Sequence, residues 1–221
     1  MFSGESLRTI PHILPFLLLL AVAGCSPVLA TEPAIEPVTA ALFVDDFSDP
    51  QSGWTPAPVT DAEAGYADGA YRLYTAAANR DIRSGPGLNL ADVRIEADAI
   101  RIGGDRNNRF GLICRLTQSG DYYIFLVSSD GYYGIGKVTG SQYALLGSEA
   151  LLPSDKIPTG TTYLHLRADC VGERLVLYVN GQKLHEASDP DLKSGDVGLA
   201  AGAYQAGGAE ILFDNFAVYA P

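Results

Sequence analysis

The chain has 221 residues, and 15 Lys+Arg against 26 Asp+Glu give a formal net charge of −11. Hydrophobic residues at 47% against charged residues at 19% fit a packed domain and exclude disorder along most of the length. The acidic balance argues against a nucleic-acid partner, which recruits basic surfaces. With 24 Gly, 12 Tyr and 8 Phe but one Met, the composition leans towards strands and turns.

The first element is an apolar run from Ile13 to Val22, broken only by Pro15. It is too short to span a bilayer, which takes ~20 residues, but it suits a signal-peptide core. The run ends in Val22-Ala23-Gly24-Cys25. This resembles the bacterial lipobox, and the resemblance implies that residues 1–24 are a lipoprotein signal peptide and Cys25 the lipidated first residue. The basic flank is thin, with Arg8 opposed by Glu5. An ordinary secretory signal cut near Ala30 is the alternative. Ser26 follows the Cys, which in this class implies the outer membrane of a Gram-negative cell. Otherwise the outer face of the plasma membrane is expected. Either way the protein is expected to be extracytoplasmic, touching the membrane through its lipid anchor only. Residues 25–41 carry Pro27, Pro33 and Pro37 without apolar periodicity, which predicts a flexible tether. Residues 42–221 form the domain.

Within the domain, strand patterns dominate. Phe110, Leu112, Cys114 and Leu116 alternate with Gly111, Ile113, Arg115 and Thr117. Leu164, Leu166, Ala168 and Cys170 alternate with Tyr163, His165, Arg167 and Asp169. Such a period of two buries one set. Asp130-Gly131 and Asn180-Gly181 each separate two apolar runs and supply the positive φ of a two-residue hairpin turn. Tyr71–Thr75, Val93–Ile102, Val197–Ala203 and Glu210–Tyr219 are further candidate strands. About a dozen short strands spaced as in a sandwich or barrel are predicted, and no amphipathic helix follows the leader.

Several segments in order carry a wider resemblance. They are Phe43-Val44-Asp45-Asp46-Phe47 with Ser52-Gly53-Trp54, Ala67-Asp68-Gly69-Ala70-Tyr71, and Arg109-Phe110-Gly111-Leu112. Asp121-Tyr122-Tyr123-Ile124-Phe125, Leu175 to Gly181, Gly195-Asp196-Val197-Gly198 and Phe213-Asp214-Asn215-Phe216 follow. Together they resemble the concanavalin A-like lectin/glucanase superfamily, including laminin G-like modules and bacterial 3-keto-disaccharide hydrolase-type domains. The resemblance implies an all-β, antiparallel two-sheet jelly-roll sandwich. It does not by itself imply a function, since the fold hosts lectins, hydrolases and spacers.

Four candidate sites follow. With Cys25 lipidated, Cys114 and Cys170 remain as a pair in an oxidising compartment, each on the apolar face of its strand. A disulfide is expected, with two buried thiols as the alternative. The superfamily's laminarinase-like hydrolases carry E-x-D-x-x-E, and Glu96-Ala97-Asp98 is followed by Arg101 where the acid/base Glu would stand. Arg cannot donate a proton at neutral pH, so the catalytic motif is broken. Tyr122, Tyr123, Tyr132, Tyr133, Tyr143 and Tyr204 are candidates for stacking on sugars, with Tyr122 and Tyr132 in one patch and Tyr123 and Tyr133 in another. Arg109 could add a polar contact. The alternative is ordinary sheet surface or core. Finally, some superfamily members hold a structural Ca²⁺ near their terminal strands. The resemblance makes Asp45, Asp46 and Asp214 candidate ligands, against the alternative that they begin turns.

The expected function is a surface-anchored, non-catalytic recognition domain for an extracellular glycan. A lipid-anchored glycoside hydrolase-type enzyme and an envelope structural or protein-interaction domain are the alternatives.

Overall fold

The computed structural model describes residues 40–56, 58–161 and 163–221. The expected signal peptide, Cys25 and all but the end of the expected tether lie outside the described residues. Sixteen strands follow in chain order: β1 (Ala41–Asp45), β2 (Thr55–Pro56), β3 (Ala62–Ala67), β4 (Ala70–Thr75), β5 (Arg80–Gly85), β6 (Val93–Gly103), β7 (Asn108–Leu116) and β8 (Tyr122–Val127). Then come β9 (Tyr132–Thr139), β10 (Gln142–Leu146), β11 (Leu152–Pro153), β12 (Leu164–Val171), β13 (Arg174–Val179), β14 (Gln182–Ser188), β15 (Asp196–Ala203) and β16 (Ala209–Tyr219). There is no helix among the described residues. β1 takes in Ala41, assigned above to the tether, because Ala41 pairs with Tyr219 of the last strand.

The strands form two antiparallel sheets of eight. The first runs β14-β13-β12-β6-β16-β4-β3, with β1 also on β16, and the second runs β10-β9-β8-β7-β15-β5-β2, with β11 on β9. Alternation does the sorting. Ile95, Ala97, Leu166, Leu177 and Phe213 of the first sheet pack inward against Leu112, Phe125, Ile135 and Leu199 of the second. Each fully buried Phe or Leu contributes ~2 kcal/mol of transfer free energy before its ordering entropy is charged.

The first and last described strands meet, with β1 paired to β16. Asp45 is drawn inside there. It accepts hydrogen bonds from the Phe47 amide at 2.8 Å, the Trp54 indole at 2.8 Å and the Ser52 hydroxyl. Trp54 in turn packs edge-on to Phe47 and Phe216, at centroid separations of 5.0 and 4.8 Å. The Asp45-Asp46-Phe47 and Trp54 signature is therefore a packing device that closes the sandwich.

The Asn180-Gly181 turn is as expected: both residues have positive φ, at 50° and 76°, between β13 and β14. The Asp130-Gly131 turn differs. Only Gly131 has positive φ, at 97°, and the loop runs Ser128–Gly131. Ser128 bonds the Asp130 carboxylate, and Ser129 is held by Asn108, so these residues close a longer turn instead of continuing the strands.

Cys114 on β7 and Cys170 on β12 form a disulfide that ties one sheet to the other.

Candidate functional site

The second sheet buries residues on both faces. On its outer side Ile113, Ile124, Leu126 and Ala200 form a second apolar cluster with Tyr122, and Leu116 and Val138 pack against it. That cluster is the floor of a cleft of about 530 Å³. The cleft exists because small residues occupy outward positions where neighbouring strands could carry large ones. Gly111, Ala200 and Arg83 stand in register across β7, β15 and β5, and so do Arg109, Gly202 and Asp81 one step along.

Gly202 is decisive. A Cβ there would lie 1.7 Å from Asp81 Oδ1 and 3.0 Å from Arg109 Nε. With no side chain between them, Arg109 Nε donates to Asp81 Oδ1 at 2.6 Å, across the β15 backbone. The Arg109 guanidinium also lies 4.2 Å from the centroid of the Tyr204 ring. On the β10 side, Tyr143 leans over Gly136, where an added Cβ would meet the Tyr143 ring at 2.5 Å. Tyr143 forms a wall of the cleft. Loss of hydration pushes the Tyr143 phenol well above its ordinary range, with Tyr204 adding to the effect. Desolvation raises Tyr122 and Tyr204 in the same direction. All three are therefore neutral at physiological pH and offer both a donor and an acceptor.

A second, more open hollow of about 620 Å³ adjoins the first and shares Asn79 and Tyr204 with it. Asn107, Asp130 and Tyr132 line it. The two make one groove over the sheet.

Of the tyrosines singled out in the sequence, Tyr122 and Tyr132 do face the same side, but at opposite ends of the groove. Tyr122 pairs with Val138, whereas Tyr132 starts β9 at the other end of the hairpin, six residues along the strand and roughly 20 Å away. Tyr123 and Tyr133 must be removed from the site, because the same alternation turns them inward. Tyr123 is fully buried, donates to Asp189 Oδ1 at 2.6 Å and accepts from the Leu192 amide at 3.0 Å. Burial and the Asp189 contact push its phenol up to about 12. Tyr133 packs against the core beside His185, with ring centroids 6.0 Å apart. Arg109 lines the groove. Asp81 and Arg83 were missed because β5 reads Arg-Asp-Ile-Arg-Ser-Gly, too polar and short to stand out as a strand.

The acidic motif of β6 lies elsewhere. Glu96 and Asp98 point outward from the first sheet, where His165 Nδ1 sits 2.9 Å from Asp98 Oδ1 and Asn215 donates to Asp98 Oδ2 at 2.9 Å. Arg101 falls on the other parity and donates to the Gly104 carbonyl at 2.7 Å. Position 101 therefore does not share a face with Glu96 and Asp98.

The calcium expectation does not fit the residues present. Asp45 is committed inside to Phe47, Ser52 and Trp54. Asp46 caps the exposed Ser48, whose hydroxyl and amide hold its carboxyl below the ordinary range. Asp214 accepts from the Asn215 amide at 2.7 Å. Each of the three carboxylates has its own protein partners, and no group of three acidic, His or Cys side chains able to hold a metal occurs among the described residues.

No protein-family model and no curated protein matches the sequence. Solved structures do match the fold. Carbohydrate binding module CBM66 from Bacillus subtilis superposes with a TM-score of 0.62 at 16% identity, covering 76% of this chain and 96% of that one. A Bacillus subtilis protein of unknown function with a galectin-like fold gives 0.58 at 14% identity, over 81% and 96%. Bacillus licheniformis β-glucanase gives 0.57 at 13% identity, over 83% and 99%. Element order, pairing and these likenesses agree: the domain is a concanavalin A-like jelly-roll sandwich.

Proposed function

We propose that this protein is a non-catalytic carbohydrate-recognition lipoprotein whose ligand lies in the groove on the outer face of the second sheet. The observation that carries the reading is the groove's chemistry. Neutral tyrosines wall an apolar floor, and Arg109, Asp81 and Asn79 present polar groups beside them. A pyranose has that same division, with C–H faces that stack on rings and equatorial hydroxyls that seek charged or amide partners. The resemblance in fold to a carbohydrate-binding module and a glucanase supports this reading. Among the described residues Asp81 is the one carboxylate lining the deeper hollow, and it is bonded to Arg109, which supports binding over hydrolysis by a carboxyl pair.

A glycan array probed with the purified protein tests the proposal. At least one glycan class should bind, and Tyr143→Ala should weaken it about 10-fold by removing one wall. An array with no binding above background refutes it.

Attachment through Cys25 belongs to the same proposal, since a tethered domain would meet glycans outside the cytoplasm. Two or more acyl chains anchor stably where one holds marginally. Metabolic labelling with a palmitate analogue should mark the wild-type chain and not Cys25→Ser. A mature N-terminus at Thr31 would mean plain secretion instead.

A further inference from the structure

Arg83 is set apart from Arg109, the other cation that lines the groove among the described residues. It points outward from β5 on the same side as Asp81, and its guanidinium lies over the Tyr122 ring, 5.2 Å from the centroid. Arg109 has Asp81 at 2.6 Å. Arg83 has no carboxylate within 4.0 Å among the described residues. The chain is not short of acids, with 26 against 15 cations. Asp121, next in sequence to Tyr122, is turned away to accept from the Gly140 amide at 2.7 Å and the Ser119 hydroxyl at 2.8 Å.

The two ends of the groove therefore differ in charge. The deeper hollow holds Arg83, Arg109 and Asp81; with Asp81 bonded to Arg109, the charge left over is that of Arg83, among Tyr122, Ser119, Ser141 and Tyr143. The far end holds Asp130, Asn107 and Tyr132. A guanidinium resting on an aromatic face beside an apolar floor is partly stripped of water, which strengthens its attraction for an anion. Its planar fork matches a carboxylate with two parallel N–H···O bonds. Asp130 would repel a second carboxylate and accept hydroxyl protons instead.

We propose, on the footing of the carbohydrate reading above, that the groove selects an acidic glycan. A uronic-acid carboxylate sits on the Arg83 guanidinium, and a neutral sugar occupies the Asn107–Asp130 end. Such a ligand has its charge at one end, so the polarity of the groove also fixes the direction in which the chain lies.

The test uses short oligosaccharides bearing one glucuronate or galacturonate, each beside its carboxyl-reduced counterpart, titrated calorimetrically into the purified protein. The acidic member should bind about 10-fold more tightly than the reduced one, with the gap shrinking as salt rises. Arg83→Gln should collapse the acidic-to-neutral ratio towards one. Its melting temperature, measured alongside, separates loss of charge from loss of fold. Equal binding of acidic and reduced members overturns this inference and leaves the carbohydrate reading standing. A preference that survives Arg83→Gln overturns it too. No binding to any member, with a blank array, removes both.

Discussion

Arg115 heads the side chains that the fold buries completely, only 2% exposed among the described residues. The alternation of β7 assigns it to the face opposite Phe110, Leu112 and Cys114. It is instead turned by a positive φ of 54°, at the point where the register of β7 against β15 slips. Its guanidinium then enters the end of the sandwich. It donates to the carbonyls of Ala91, Gly172 and Leu192 at 3.0, 2.7 and 2.8 Å, and to Asp92 Oδ1 at 3.0 Å. Those acceptors belong to three different connections between strands, so one side chain fixes three loops. Arg115→Met keeps the volume but strands three carbonyls, while Asp92 keeps the Gly172 amide at 2.8 Å and its contact with water. It should lower stability by ~3 kcal/mol, and Arg115→Lys should recover only part because one ammonium cannot reach all four acceptors. Urea denaturation measures both. An unchanged midpoint for Arg115→Met would mean water replaces the guanidinium freely.

At the scale of elements, β15 decides the shape of the groove. Its outward positions are Ala200 and Gly202, while Leu199 and Ala201 face the core. Gly202→Ala places a methyl on the Asp81–Arg109 pair, and the pair must swing away from the floor. Glycan affinity should fall about 10-fold or more as two polar contacts are misplaced, while the fold loses ~1 kcal/mol. Gly65→Ala on β3 is the matched control, because a Cβ there meets nothing within 4 Å. Titration of both variants against the array's best ligand decides the matter. If the two alanines behave alike, the glycine is not what opens the site. The hairpin of β9 and β10 plays the complementary part by carrying Tyr143 over Gly136.

For the whole molecule, the Cys114–Cys170 bridge joins sheets whose strands are 56 residues apart in sequence. Closing a loop of that length restricts the unfolded chain and stabilises by ~4 kcal/mol on the chain-entropy account. Reduction, or Cys114→Ser with Cys170→Ser, should lower the melting temperature by roughly 8–16 °C for a domain of this size. Calorimetry with and without dithiothreitol reads it directly. A melting temperature indifferent to reductant would place the stability in the apolar core alone.

What the sequence determined by itself was whatever depends on local spacing. Period-two alternation in Leu164–Val171 and Val93–Gly103, and Asn180-Gly181 between two apolar runs, were sufficient because strand and turn chemistry act over a few residues. The ordered family-like segments gave the sandwich, and the two alternating cysteines gave the bridge. Alternation also separated Tyr122 from Tyr123, but it could not say which of them faced the core. That choice, the bulge that turns Arg115 inward and the meeting of Asp81, Arg109 and Tyr204 were decided by tertiary structure alone. They depend on which strands become neighbours: β5 joins β7 only through β15, and no spacing within either strand records that pairing.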